Sequence, residues 1–211
     1  MKVSVNQSEL SRALATVVKG SSSRSTLSIL SGILIQARDG EIVLQTTDLK
    51  LSIRIILPAL VEEAGDTVVP AKLFSDIVKN LPDAAVHVEA TDEQAFVTCD
   101  TSSFSIRALN AEDFPGFPRV DVHQKIEIPF HQFSTMVKRV SRVVSKDESR
   151  AILTGVLITL ETGVLRMVAT DSYRLAITDA PLPNSSADEF HAVISGSFLS
   201  EIASLPKTES P

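Results

Sequence analysis

The chain has 211 residues, 44% of them hydrophobic and 22% charged, and a net charge of −6 at pH 7. This is an ordinary globular composition with room for two cores. The single cysteine, Cys99, excludes an internal disulfide, no apolar run approaches the roughly 20 residues of a membrane span, and the first residues lack the apolar stretch of a signal peptide, so a cytoplasmic protein is expected.

Val3 and Val5 alternate as a short strand. The spacing of Leu10, Leu14, Val17 and Val18 predicts a helix from about residue 7 to residue 19. Asn6 caps it, with Glu9 three residues on, and Gly20 ends it. Residues 33–37 and 42–46 read as a hairpin around Arg38-Asp39-Gly40. Residues 51–57 follow as a strand that stops at Pro58. A second helix is predicted over residues 70–81, with Pro70 at its first position and Leu73, Phe74, Ile77, Val78 and Leu81 toward the core. Further strands are expected at residues 86–90, 95–99 and 104–110. The pattern is α+β, an antiparallel sheet with two helices on one face.

The pattern then repeats. Residues 2–49 lie over residues 125–172 without a gap, at a fixed offset of 123. Identical pairs include Ser11/Ser134, Val17/Val140, Leu30/Leu153, Gly32/Gly155, Gly40/Gly163, Thr47/Thr170 and Asp48/Asp171. The match resumes where Val69-Pro70-Ala71 meets Ile194-Ser195-Gly196. A repeat this long is a duplicated domain. The division is residues 1–119, a linker at 120–126, and 127–211. The second copy has no counterpart of the strands at 86–110, which would leave a sheet edge open. The chain therefore reads as a piece of a longer protein.

The charge is unevenly spread. Residues 130–146 carry Lys138, Arg139, Arg142 and Lys146 and no acid, and residues 9–24 carry Arg12, Lys19 and Arg24 against Glu9. These are equivalent stretches of the two copies. One positive face on an acidic protein can hold a polyanion weakly. Lys138, Arg142 and Lys146, at i, i+4 and i+8, are expected along one helical face.

No catalytic constellation emerges. His87, His123, His131 and His191 are scattered, without the spacing of a metal site. Gly20-Ser21-Ser22-Ser23 lacks the ending of a phosphate loop. Cys99 sits in an alternating run and reads as a packed strand cysteine. Thr170-Asp171-Ser172-Tyr173-Arg174 is the tightest polar cluster, and Asp171 with Arg174 could be read as an acid–base pair. But Thr47-Asp48 recurs without the Tyr-Arg, so the Thr-Asp pair is expected to build a side-chain-bonded turn. An exposed Tyr-Arg-Leu suits anchoring a peptide.

Several segments together resemble the bacterial DNA polymerase III beta subunit family, the sliding clamps. They are Arg24-Ser25-Thr26-Leu27-Ser28-Ile29-Leu30, Val69-Pro70-Ala71-Lys72-Leu73-Phe74-Ser75-Asp76-Ile77, Leu109-Asn110-Ala111-Glu112-Asp113-Phe114-Pro115 and Val168-Ala169-Thr170-Asp171-Ser172-Tyr173-Arg174-Leu175-Ala176. The resemblance implies a DNA-clamp fold with three such domains per subunit, and a homodimeric ring around duplex DNA. The third domain would lie outside this chain. It also implies a processivity role without a catalytic site, cofactor, metal or membrane. Arg24 is carried over as a DNA-contacting residue, and Lys72, Lys79, Lys138, Arg142 and Lys146 extend that set. Leu153, Thr170, Ser172, Tyr173, Arg174 and Leu175 match one wall of the pocket that takes short peptides of polymerase, clamp loader and repair proteins. Family members usually have Gly-His where Ser172-Tyr173 stands here, which implies a differently shaped pocket. Many also carry basic residues where this chain has Ser195-Gly196-Ser197. Leu73, Ile77, Phe104 and Ile106 correspond to the subunit interface. With the pocket's other wall missing, peptide affinity is expected to fall at least about tenfold.

Overall fold

The computed structural model describes residues 1–22, 25–122, 125–182 and 188–205. Alternation of Val3 and Val5 builds strand β1, Lys2–Asn6. Asn6 then turns the chain into helix α1, Gln7–Val17, its Oδ1 accepting from the backbone N–H of Ser8 at 3.0 Å and of Glu9 at 3.3 Å. Capping of this kind satisfies donors that the first helical turn leaves open. The helix is shorter than its apolar spacing predicted and tightens into a 3-10 turn at Val18–Gly20. There the Thr46 hydroxyl donates to the Val17 carbonyl. A Cβ on Gly20 would lie 2.5 Å from the same hydroxyl oxygen, so only glycine allows this approach.

The hairpin comes next, as β2 (Gly32–Arg38) and β3 (Glu41–Thr47), with Arg38 opposite Glu41. Asp39 and Gly40 both have positive φ, as a tight two-residue hairpin turn requires. Strand β4 spans Ser52–Pro58, β5 Leu60–Glu63 and β6 Gly65–Pro70. Helix α2 runs Ala71–Lys79, and Pro70 is its N-cap residue instead of its first helical residue. Strands β7 (Ala85–Ala90), β8 (Gln94–Cys99) and β9 (Ser102–Arg107) complete the first unit, Met1–Arg119.

This unit divides its strands between two antiparallel sheets, in the orders β4-β3-β2-β6 and β5-β1-β7-β8-β9. The second sheet and the short strand β5 are additions to the one-sheet pattern read from the sequence. One core joins them. Leu10, Leu14 and Val17 from α1 and Phe74 and Val78 from α2 meet Ile33, Ile35 and Leu44 of one sheet and Val3, Val86 and Val97 of the other. Leu73, expected in that core, is instead exposed.

In the second unit, Val120–Pro211, the same plan appears. Helix α3, Phe130–Val140, lies 123 residues after α1 at both ends. Strands β10 (Gly155–Glu161), β11 (Val164–Thr170), β12 (Leu175–Pro181) and β13 (Phe190–Ser195) form a sheet ordered β12-β11-β10-β13, the counterpart of β4-β3-β2-β6. Helix α4, Gly196–Ala203, matches α2. Even single bonds recur: Ser22 N–H to the Leu30 carbonyl and Ser145 N–H to the Leu153 carbonyl are both 2.8 Å. The carbonyl near the end of the second helix is reached from the first helix in both units. Gln7 Nε2 donates to Val78 O at 2.7 Å, and Ser134 Oγ donates to Ala203 O at 3.1 Å.

Two differences matter. Residues 125–129, the counterpart of β1, form no strand, although Ile126 and Ile128 pack on the core. In the first unit β1 is held between β5 and β7, and among the described residues of the second unit no strand matches β7. The second difference corrects the charged stripe. Helix α3 stops at Val140, with Val143 N–H bonded back to the Val140 carbonyl. Lys138 is helical, Arg142 sits in the following turn and Lys146 lies beyond it. The branched pair Val143-Val144 disfavours continuing the helix, and Val144 is drawn onto the core.

Candidate partner-binding site

The turn between β11 and β12 is built by its own side chains. Thr170 Oγ1 accepts from the Ser172 N–H at 3.1 Å and donates to the Arg174 carbonyl at 2.7 Å. Asp171 Oδ1 accepts from the N–H groups of Tyr173 at 3.0 Å and Arg174 at 2.8 Å. Its other oxygen holds the Arg174 guanidinium, Nε at 3.0 Å. The two backbone bonds, Arg174 first, hold the Asp171 carboxyl below its usual range, and the guanidinium adds to this. In the first unit Thr47 and Asp48 make the same backbone bonds to Leu49, Lys50 and Leu51. The Thr-Asp pair is therefore a structural element of both copies, as its repetition predicted.

What the second copy adds is an exposed surface. Ser172 takes φ +79, and Tyr173 is 92% exposed. Leu175 and Ile177 are exposed on the same side of β12, and Leu153 is half-buried. Arg150 also belongs here, though its sequence context did not mark it. Its Nη1 donates to Ser172 Oγ at 3.1 Å. The signal was in the offset: Arg150 and Ser172 replace Leu27 and Leu49 together.

Among the described residues, the sheet behind this turn lacks the segment that covers its counterpart. In the first unit residues 109–117 lie on the face of β6-β2-β3-β4 away from the helices. Leu109 N–H bonds the Val68 carbonyl at 2.8 Å, Phe114 packs on Leu34 and Val68, Gln45 Nε2 donates to the Pro115 carbonyl at 3.2 Å, and Arg54 stacks 4.1 Å from the centre of the Phe117 ring. The equivalent row in the second unit is Val193, Leu157, Val168 and Ile177, in direct register. Val68 is 0% exposed and Val193 is 49% exposed.

The remaining candidates fall as follows. Lys72, Lys79, Lys138, Arg142 and Lys146 are all exposed, and Arg24 lies outside the described residues. Leu73 and Phe104 are exposed and Ile77 is half-buried. Ile106, expected at a subunit interface, is 5% exposed and belongs to the core of the first unit. On β9 it lies opposite Ala95 and shares a side with Phe104, which lies opposite Val97 and is 41% exposed. Cys99 is buried, and burial pushes its thiol above the usual range. Among the described residues no three His, Cys, Asp or Glu side chains are grouped to hold a metal, and no helix is long and apolar enough to cross a membrane.

Two family models match: the DNA polymerase III beta subunit N-terminal domain over residues 1–118, and its central domain over residues 127–210. The beta sliding clamp of Bacillus subtilis is 32% identical over 97% of this chain and 57% of its own length. That of Synechocystis is 35% identical over 96% of this chain and 54% of its own length. The chain thus spans a little over half the length of these relatives. Among solved structures, the Bacillus subtilis clamp superposes with a TM-score of 0.93 at 31% identity, covering 98% of this chain and 57% of that one. The Pseudomonas aeruginosa clamp bound to griselimycin gives 0.89 at 26% identity, covering 96% and 56%. With both of its units matched in order and fold, the chain belongs to the DNA polymerase III beta subunit family, the bacterial beta sliding clamps.

Proposed function

We propose that this chain supplies the first two domains of a DNA sliding clamp, divided at a linker over residues 120–126, with a third domain outside it. In that role the subunit forms a homodimeric ring around duplex DNA in the cytoplasm and keeps the replicative polymerase on its template. Enclosure replaces chemistry: no catalytic group, cofactor or metal is needed. DNA is met through phosphate-directed cations, which carry no sequence information. Lys72, Lys79, Lys138, Arg142 and Lys146 are exposed and free to serve in this way; Arg24 joins them by family resemblance. Leu73, Ile77 and Phe104 supply this chain's share of the subunit contact.

The second unit carries the partner site. The observation that supports this most directly is the rigidly bonded turn that holds Tyr173 and Leu175 out of the core beside an uncovered apolar row. Leu153, Thr170, Ser172, Tyr173, Arg174 and Leu175 form one wall for short peptides of polymerase, clamp loader and repair proteins. A half-pocket binds weakly, because affinity depends on a fully desolvated anchor. Fluorescence anisotropy with a labelled clamp-binding peptide from a replicative polymerase tests the reading. The full-length protein should bind at least about tenfold more tightly than the 211-residue chain, and Leu175→Asp should abolish what binding remains. Equal affinity of the two forms, or indifference to Leu175→Asp, overturns this placement.

A further inference from the structure

Arg150 stands between two segments of the proposed wall. Its Nε donates to Asp147 Oδ2 at 3.3 Å, and its Nη1 donates to Ser172 Oγ at 3.1 Å. Asp147 is itself fixed by accepting from the N–H and hydroxyl of Ser149, so the guanidinium is aimed from a capped turn. The 3-10 segment Glu148–Thr154 breaks its helical geometry only at Arg150, which has φ −111 and ψ 64. Ser172 sits at φ +79, a region that residues other than glycine and asparagine seldom enter. A break in the 3-10 segment and a left-handed residue therefore meet in one hydrogen bond.

The first unit separates what this bond does from what the fold needs. Leu49, the counterpart of Ser172, has φ +72 in the same bonded turn, so the left-handed residue belongs to the shared fold. The counterpart of Arg150 is Leu27. The Arg–Ser contact is thus confined to the copy that presents Tyr173 and Leu175. It connects the segment bearing Leu153 to the turn bearing Tyr173, which are otherwise distant in sequence.

We infer that Arg150 is a positioning residue, latching the 148–154 segment to the 170–175 turn through Ser172 so that both halves of the wall are ordered before a peptide arrives. Ordering in advance favours affinity by removing an entropic penalty from the binding step. This rests on the peptide-binding reading, but the latch also has a signature of its own.

Amide hydrogen exchange on the 211-residue protein reads that signature without any ligand. Ser172→Ala should speed exchange about threefold in both segments, and Arg150→Leu should do the same. The double variant should be no worse than either single change. Ser172→Asn should restore protection, because asparagine tolerates positive φ and its side-chain carbonyl can accept from Arg150. Additive effects, or faster exchange only in the mutated segment, overturn the latch. The labelled polymerase peptide then tests its purpose. Ser172→Ala should weaken binding about threefold, Arg150→Leu by the same factor, and the two together by no more. Unchanged affinity in Ser172→Ala overturns the positioning role. Absence of binding by the wild-type chain counts against the peptide-binding reading alone, leaving the exchange result to decide the latch.

Discussion

Asp171 shows how one side chain can be wholly structural in a place that invites a catalytic reading. Its carboxylate is consumed by the N–H groups of Arg174 and Tyr173 and by the Arg174 guanidinium. Those bonds favour the charged form, so the folded-state pKa lies below the ordinary 3.8. For a depressed carboxyl the stabilisation is complete above the unfolded value and is lost only as pH falls through the folded one. Amide chemical shifts of Tyr173 and Arg174 should therefore stay constant from neutral pH down to about pH 5 and move only below the ordinary aspartate range. A transition near pH 6 would mean that some other group controls the turn. Asp171→Asn keeps an oxygen for both amides and should retain the turn's shifts. Asp171→Ala should lose them, and Asp48→Ala should do the same in the first unit.

At the scale of elements, the two copies act as internal controls for each other. Gly32 and Gly155 start equivalent strands, β2 and β10. A Cβ on Gly32 would lie 2.4 Å from Val68 Cγ1 and 3.0 Å from the Ile29 carbonyl. On Gly155 it would lie 2.3 Å from Val193 Cγ1, with the nearest carbonyl at 3.4 Å. Val68 is locked under Phe114, whereas Val193 faces outward and can change rotamer. Gly32→Ala should then destabilise its unit by about 2 kcal/mol and Gly155→Ala by less than about 1 kcal/mol, read from urea unfolding. Equal losses would mean that the row around Val193 is as tightly held as its counterpart. The hairpins, both first helices and the bonded turns were legible in the sequence because their signals are local: Asn6, Asp39-Gly40, Thr-Asp. The second sheet was not, since β5 is short and earns its strand geometry from β1 across the fold. The end of α3 was missed for a related reason. Basic residues at i, i+4 and i+8 describe a helix only while the helix lasts, and burial of Val144 decides that. Of the site, the Thr-Asp frame and the exposed Tyr173 could be foreseen. Arg150 had no local signal, since its partner is 22 residues away, and only its replacement of Leu27 alongside that of Leu49 by Ser172 pointed to it.

For the whole molecule, the proposed DNA role has to be reconciled with an acidic chain. The net charge of −6 repels a polyanion at long range, yet Lys138, Arg139, Arg142 and Lys146 stand together without an intervening acid. Ending α3 at Val140 removes the single helical face, but Lys138, Arg142 and Lys146 all remain exposed. Local cations on an acidic body favour contact at one surface and discourage it elsewhere. Binding of that kind is weak and steeply dependent on salt. Each phosphate neutralised contributes about 0.9 to the slope of log affinity against log salt. If Lys138, Arg142 and Lys146 each meet one phosphate, the triple change to alanine should lower the magnitude of that slope by about 2.7. Titration of a labelled duplex across a salt series measures it on the chain as it stands. A sequence-independent loss of that size is the expected result. A slope unchanged by the triple variant would place the DNA contact elsewhere, and a loss that varied with base sequence would argue against phosphate contact altogether.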